Sequence, residues 1–202
     1  MPVVGAVGAS VLVAALGNVV VAGRRWNGQS EWITLVGVPA IGLAGAAVLW
    51  RRGSSWRDLG FRWPAVDPPR WFAQGAVALA VAVAAASGII GKITGEELPA
   101  FEVVRLFVGT AFGEELVHRG VVLGVWASTT VRGRWVVVAN MGTFALWHLA
   151  GATHRSGFRW WEVAGPGVLA LVLLWGRLRS RSIVAPAAFH AAPNMAGFLP
   201  PI

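Results

Sequence analysis

Apolar and polar positions fall along this chain in long blocks rather than in alternating steps. About seven apolar runs have the length, or nearly the length, that a helix needs to cross hydrocarbon. They are Val3 to Gly23, Ile33 to Trp50, Trp71 to Gly91, Val108 to Ser128, Trp135 to Ala152, Val163 to Gly176 and Ile183 to Leu199. Inside a bilayer the backbone must bond to itself, so these runs predict helices; the single-residue alternation of barrel strands is absent. The pattern therefore predicts an all-α polytopic membrane protein, a single domain over 1–202, with about seven helices bundled around a buried polar cavity.

Tryptophan marks the same boundaries. Trp26, Trp32, Trp50, Trp56, Trp71, Trp135, Trp160 and Trp161 fall at or near run ends, where an aromatic belt belongs. Trp147 is the exception, deep inside a run and next to His148. The stretch Arg51 to Arg70, with Pro64, Pro68 and Pro69, reads as a structured surface connector. Lys92 to Arg105, with Glu96, Glu97 and Glu102, reads as polar and fit for a short interfacial helix.

Composition agrees with the pattern. Hydrophobic residues make up 56% of the 202 positions and charged residues 13%, with a mean hydropathy of +0.63. That excludes an ordinary soluble globule. The net charge of +8 sits in short loops between apolar runs, which points to anionic lipid headgroups and against nucleic acid. There is no cysteine, hence no disulfide or thiol chemistry. Lys92 is the only lysine, and an Arg-, Ala- and Gly-rich chain of this kind suggests a bacterial origin and a multi-pass inner-membrane location. The first run is long enough to remain a span rather than a cleaved leader. The loops after the second, fourth and sixth runs carry more Arg than the others, which predicts that they and the N-terminus face the cytoplasm.

Three polar turns interrupt the apolar runs. The first holds Glu114, Glu115, His118 and Arg119. A charge near the bilayer centre costs about 3 kcal/mol on insertion scales, so three within about one helix turn call for a reason. At i and i+4, Glu115 and Arg119 can pair, which leaves Glu114 to face a cavity as a general base. The competing interpretation is a structural ion-pair network. The second turn ends in Trp147-His148, and the third holds His190 and Asn194 at i and i+4. A lone buried histidine is more often a hydrogen-bonded core residue than a ligand, and an asparagine after Pro193 can simply cap an opened backbone. Together, a carboxylate, two imidazoles and an amide can activate water. In one route Glu114 is the base, and His148, His190 and Asn194 polarise a carbonyl or hold an oxyanion. In the other, Glu114, His148 and His190 hold a divalent metal such as Zn. The metal-free route is favoured, because the paired-His metalloprotease spacing is missing and Glu115 is occupied by Arg119.

In order and spacing, these turns resemble the signatures of the CPBP family, the CAAX-protease and bacteriocin-processing (Abi) intramembrane proteases. The family pattern E-E-x-x-x-R is met by Glu114, Glu115 and Arg119, F-x-x-x-H by Phe144 and His148, and H-x-x-x-N by His190 and Asn194. The similar core covers roughly 101–199, and Asp58-Leu59-Gly60-Phe61 is similar to a phrase often found upstream of it. The resemblance implies an all-helical membrane protease that hydrolyses peptide bonds of membrane-associated protein or peptide substrates, with the first glutamate and both histidines essential. Eukaryotic relatives trim prenylated CAAX proteins, and some bacterial relatives act as immunity factors or scaffolds. The family is grouped with metalloproteases, and a metal-free glutamate mechanism is also argued for its relatives. His118 departs from the pattern, standing where an aromatic is usual, and Pro193 is expected to bend the helix between His190 and Asn194. Two rival functions stand beside proteolysis: a non-proteolytic immunity or scaffold protein of the same fold, and a proton-coupled transporter built on the same buried groups.

Overall fold

The computed structural model describes residues 2–26, 32–62, 101, 104–131, 133–154 and 157–196. The predicted run Trp71 to Gly91, the connector beyond Arg62, and Lys92 to Ala100 lie outside the described residues. Each of the other apolar runs forms a helix. α1 is Val3–Trp26. α2 is Ile33–Arg51, wound wide as π-helix over Ile33–Gly37. Those wide turns precede Pro39, whose missing N–H deprives a carbonyl one turn back of its ladder partner.

α3 runs continuously over 105–127. Its segments Arg105–Phe112 and Leu116–Val122 are π-wound, and Gly113–Glu115 and Leu123–Ala127 are α-helical. α4 is Gly133–Trp147, broken at His148 and followed by one more turn, Leu149–Ala152. A short antiparallel ladder of β1 (Thr153–His154) and β2 (Gly157–Phe158), in the register Thr153 with Phe158, leads on to α5. α5 is Trp161–Ser180, ending at Arg181 in the left-handed conformation, and α6 is Val184–Ala196.

The class is therefore an all-α membrane protein. Among the described residues three helices, α1, α2 and α5, are long and apolar enough to cross a membrane by length and composition. Their outward faces are apolar: Val4 is 83% exposed and Val168 65%. Hydrocarbon, not water, suits such a surface. α3 is the central element, with every residue from Gly113 to Leu123 buried. Burying three charged groups there calls for partners, which come partly from α3 itself, where Arg119 pairs with Glu115, and partly from the other helices.

Small residues let α3 lie against α2. A Cβ at Gly109 would stand 2.7 Å from the Leu35 Cα, and one at Gly113 would stand 3.0 Å from Pro39 Cδ. Because the obstacle at Gly109 is backbone, Gly109→Ala is expected to destabilise by about 1–3 kcal/mol. Gly142→Ala, which enters open space, is the control, and thermal unfolding in detergent compares the two. Equal stability would show that the α2–α3 approach is slack.

The connector after α2 is fastened from below. Gly60 has φ 91°, a conformation that favours glycine, and a Cβ there would meet Arg177 Nε and Ile183 Cγ2 at 2.8 Å. Arg177 donates from Nη2 to the Asp58 carbonyl at 2.6 Å and from Nε to the Arg119 carbonyl at 3.1 Å. The Ile183 N–H donates to the Gly60 carbonyl. The exposed Asp58 carboxylate accepts from the Ser55 hydroxyl and N–H at 2.7 and 2.9 Å, and these bonds hold its pKa below the ordinary carboxylate range.

Candidate active site

Glu114 and Glu115 share the short α-helical turn of α3 between its two wide π-wound stretches. π-helical turns inside α-helices occur often at functional sites. The predicted pair is present: Arg119 Nη1 donates to Glu115 Oε1 at 3.0 Å, with both side chains fully buried. Arg119 Nη2 also donates to the Ala170 carbonyl of α5 at 3.2 Å, and its guanidinium carbon lies 4.4 Å over the Phe144 ring. Hydrogen bonds and an aromatic face thus hold this buried cation from three helices.

The same Glu115 Oε1 accepts from His190 Nδ1 at 3.1 Å. His148 Nδ1 lies 2.8 Å from the Phe144 carbonyl. A carbonyl can only accept, so the His148 proton sits on Nδ1. Both imidazoles are therefore anchored through Nδ1 and turn Nε2 toward one atom, Glu114 Oε2, at 3.8 Å for His148 and 3.9 Å for His190. Glu114 Oε2 is buried with no hydrogen-bond partner among the described residues. Three acceptors facing one point, each just beyond direct bonding distance, suit a water with two O–H donors or a cation.

The residues singled out in the sequence thus converge: Glu114, His148 and His190 at one point, with Glu115 and Arg119 behind them. Asn194 lies one helical turn beyond His190 on α6, and its Nδ2 is buried without a partner among the described residues. α6 runs as helix through Pro193 to Ala196, so His190 and Asn194 lie on one continuous helix. His118 fills the slot of an aromatic, packing edge-on against Phe144 and Trp147 with centroids at 4.9 and 5.2 Å. Neither of its ring nitrogens has a hydrogen-bond partner among the described residues, so it packs rather than serving Glu114.

Phe144 does more than mark a motif. Its ring touches Arg119, His118, His148 and His190, and so holds the spacing of the charged groups. Asn140 donates to the His118 carbonyl at 2.8 Å, joining α4 to the wide turn of α3. Sequence reasoning assigned neither role, although an amide in an apolar run is itself a signal.

The donors fit a metal by type, since two imidazole nitrogens and a carboxylate oxygen are a common zinc set, with both rings oriented by outer contacts. Among the described residues, however, no group of three or more His, Cys, Asp or Glu side chains is close enough to hold a metal as it stands.

Fold and site together define an all-α membrane protein with a buried glutamate–histidine centre. A family model described as type II CAAX prenyl endopeptidase, Rce1-like, matches residues 96–196, and the chain belongs to this CPBP family. No curated protein and no solved structure matches it. Membership supports a peptidase of the intramembrane kind, since CAAX prenyl endopeptidases cleave peptide bonds.

Proposed function

We propose that this chain is an intramembrane endopeptidase that hydrolyses membrane-associated protein or peptide substrates in a bacterial inner membrane, with Glu114 as the general base. The observation that carries this reading is the convergence of two Nδ1-anchored imidazoles on the unpartnered Glu114 Oε2. A water held there directs one O–H to Glu114 and the other to an Nε2. Glu114 takes a proton as the water oxygen attacks the scissile carbonyl, and returns it to the leaving amine as the C–N bond breaks. With both Nε2 atoms facing inward as acceptors, we assign the oxyanion donor to Asn194 Nδ2, which is buried without a partner among the described residues. Glu115 is assigned a supporting role: Arg119 and His190 hold its Oε1, while its Oε2 has no hydrogen-bond partner among the described residues.

If a divalent metal such as zinc is resident, Glu114, His148 and His190 would hold it, and it would supply Lewis-acid activation of water. The direct-base reading predicts that dialysis against a strong chelator leaves activity essentially intact. Purified protein that carries stoichiometric zinc, and loses metal and proteolysis together, would overturn it.

A quenched-fluorescence peptide with a prenylated cysteine near its C-terminus, presented to the protein in nanodiscs, tests the function. Wild type is expected to cleave it and Glu114→Gln is not. Equal behaviour of the two would favour a scaffold or immunity role, and ion-coupled solute flux in proteoliposomes without cleavage would favour a transporter.

A further inference from the structure

The break in α4 at His148 has a cause in a different helix. In an unbroken helix the Ala150 N–H would donate to the Leu146 carbonyl four residues back. Here the Asn18 carboxamide of α1 takes the place of that bond. Its Nδ2 donates to the Leu146 carbonyl at 2.7 Å, and its Oδ1 accepts from the Ala150 N–H. Nδ2 also donates to the Ala14 carbonyl of its own helix at 2.8 Å, which fixes the side chain. A side chain inserted into the i→i−4 ladder is a recognised cause of a sharp bend.

His148 sits in the gap so made, at φ −90° and ψ 0°. Its N–H donates to the Ala145 carbonyl instead of to Phe144. The Phe144 carbonyl is thereby released from the ladder and accepts the His148 Nδ1–H. Nε2 is then left bare and directed at Glu114. The neighbouring contact matches: Gly17 is buried against the Trp147 ring, which leaves no room for a Cβ. Gly17-Asn18 of α1 is thus shaped to receive Trp147-His148 of α4.

We infer that Asn18 is a positioning residue for His148: by splitting the Leu146–Ala150 hydrogen bond it holds the imidazole as the Nδ1–H tautomer with Nε2 facing Glu114. It lies far outside the matched residues 96–196. The inference rests on the proposed reading of the site for its consequence in turnover, but not for its structural content.

The test uses the full chain, ¹⁵N-labelled at its 4 histidines, in nanodiscs, with the His148 signal assigned by His148→Ala. Wild type is expected to show His148 protonated at Nδ1. Asn18→Leu is close in volume but cannot bridge, so the ladder bond can close; the His148 nitrogens should then lose the fixed Nδ1–H pattern while those of His190 keep theirs. If Asn18→Leu fails to accumulate, Asn18→Ser, too short to span both backbone groups, is read in the same way. Where cleavage is measurable, kcat should fall by about 10–100-fold with little change in KM, the range seen when outer contacts that orient an imidazole are removed. An unchanged His148 spectrum in the variant that folds would overturn the inference. Wild type without proteolysis removes the functional reading, while the nitrogen spectra still decide the positional claim.

Discussion

Glu114→Gln is expected to lower kcat by at least about 10²–10⁴-fold, the contribution of a positioned general base, while substrate KM stays close to wild type. The amide is nearly isosteric and fills the same space, so the surrounding packing is retained. It cannot accept the proton that water must lose. Its NH₂ would also donate toward one Nε2 and so occupy a position that the water needs. Single-turnover kinetics in nanodiscs separates the two parameters. A variant that turns over at more than about a tenth of the wild-type rate would remove Glu114 from the base role.

Arg119→Ala should act chiefly on folding. The guanidinium is fully buried and holds Glu115 Oε1, the Ala170 carbonyl and the Phe144 ring. Its loss strands a carboxylate in a low-dielectric interior, and breaking one side of such a pair costs about 3–5 kcal/mol. That is a large part of the margin of an ordinary domain. Membrane yield and thermal unfolding are the measurements, with Arg119→Lys expected to recover part of the loss. Because His190 shares the same oxygen of Glu115, its ring should also loosen in the variant. Normal yield and stability in Arg119→Ala would show that the pair is not structural.

The helices were legible in the sequence because lipid enforces them: long apolar runs have one backbone solution. The pairing of Glu115 with Arg119 was legible for a similar reason, since i and i+4 are neighbours on any helix. The convergence of Glu114, His148 and His190 was legible because three apolar runs each carry a polar turn that lipid alone does not explain. Less accessible were contacts that depend on how separate helices meet. Asn18 is one polar residue in an apolar run, and nothing near it in sequence points to Leu146 or Ala150. Pro193 lies inside α6, which stays helical to Ala196. His118, a titratable residue by composition, is placed by packing against Phe144 and Trp147.

The order in which the polar partners occur along the chain bears on how the protein is made. Glu115 and Arg119 leave the ribosome within four residues of each other, so α3 can enter the translocon with that charge pair already closed. This lessens a burden of about 3 kcal/mol per isolated charge. Glu114 has no such local companion. Its two imidazole neighbours arrive with α4 and α6, and at about 5–20 residues per second the second follows it by several seconds. During that interval a nascent chain carries one uncompensated carboxyl in a half-built bundle. Biogenesis, rather than the finished protein, is where Glu114 is most exposed to the quality-control machinery of the membrane.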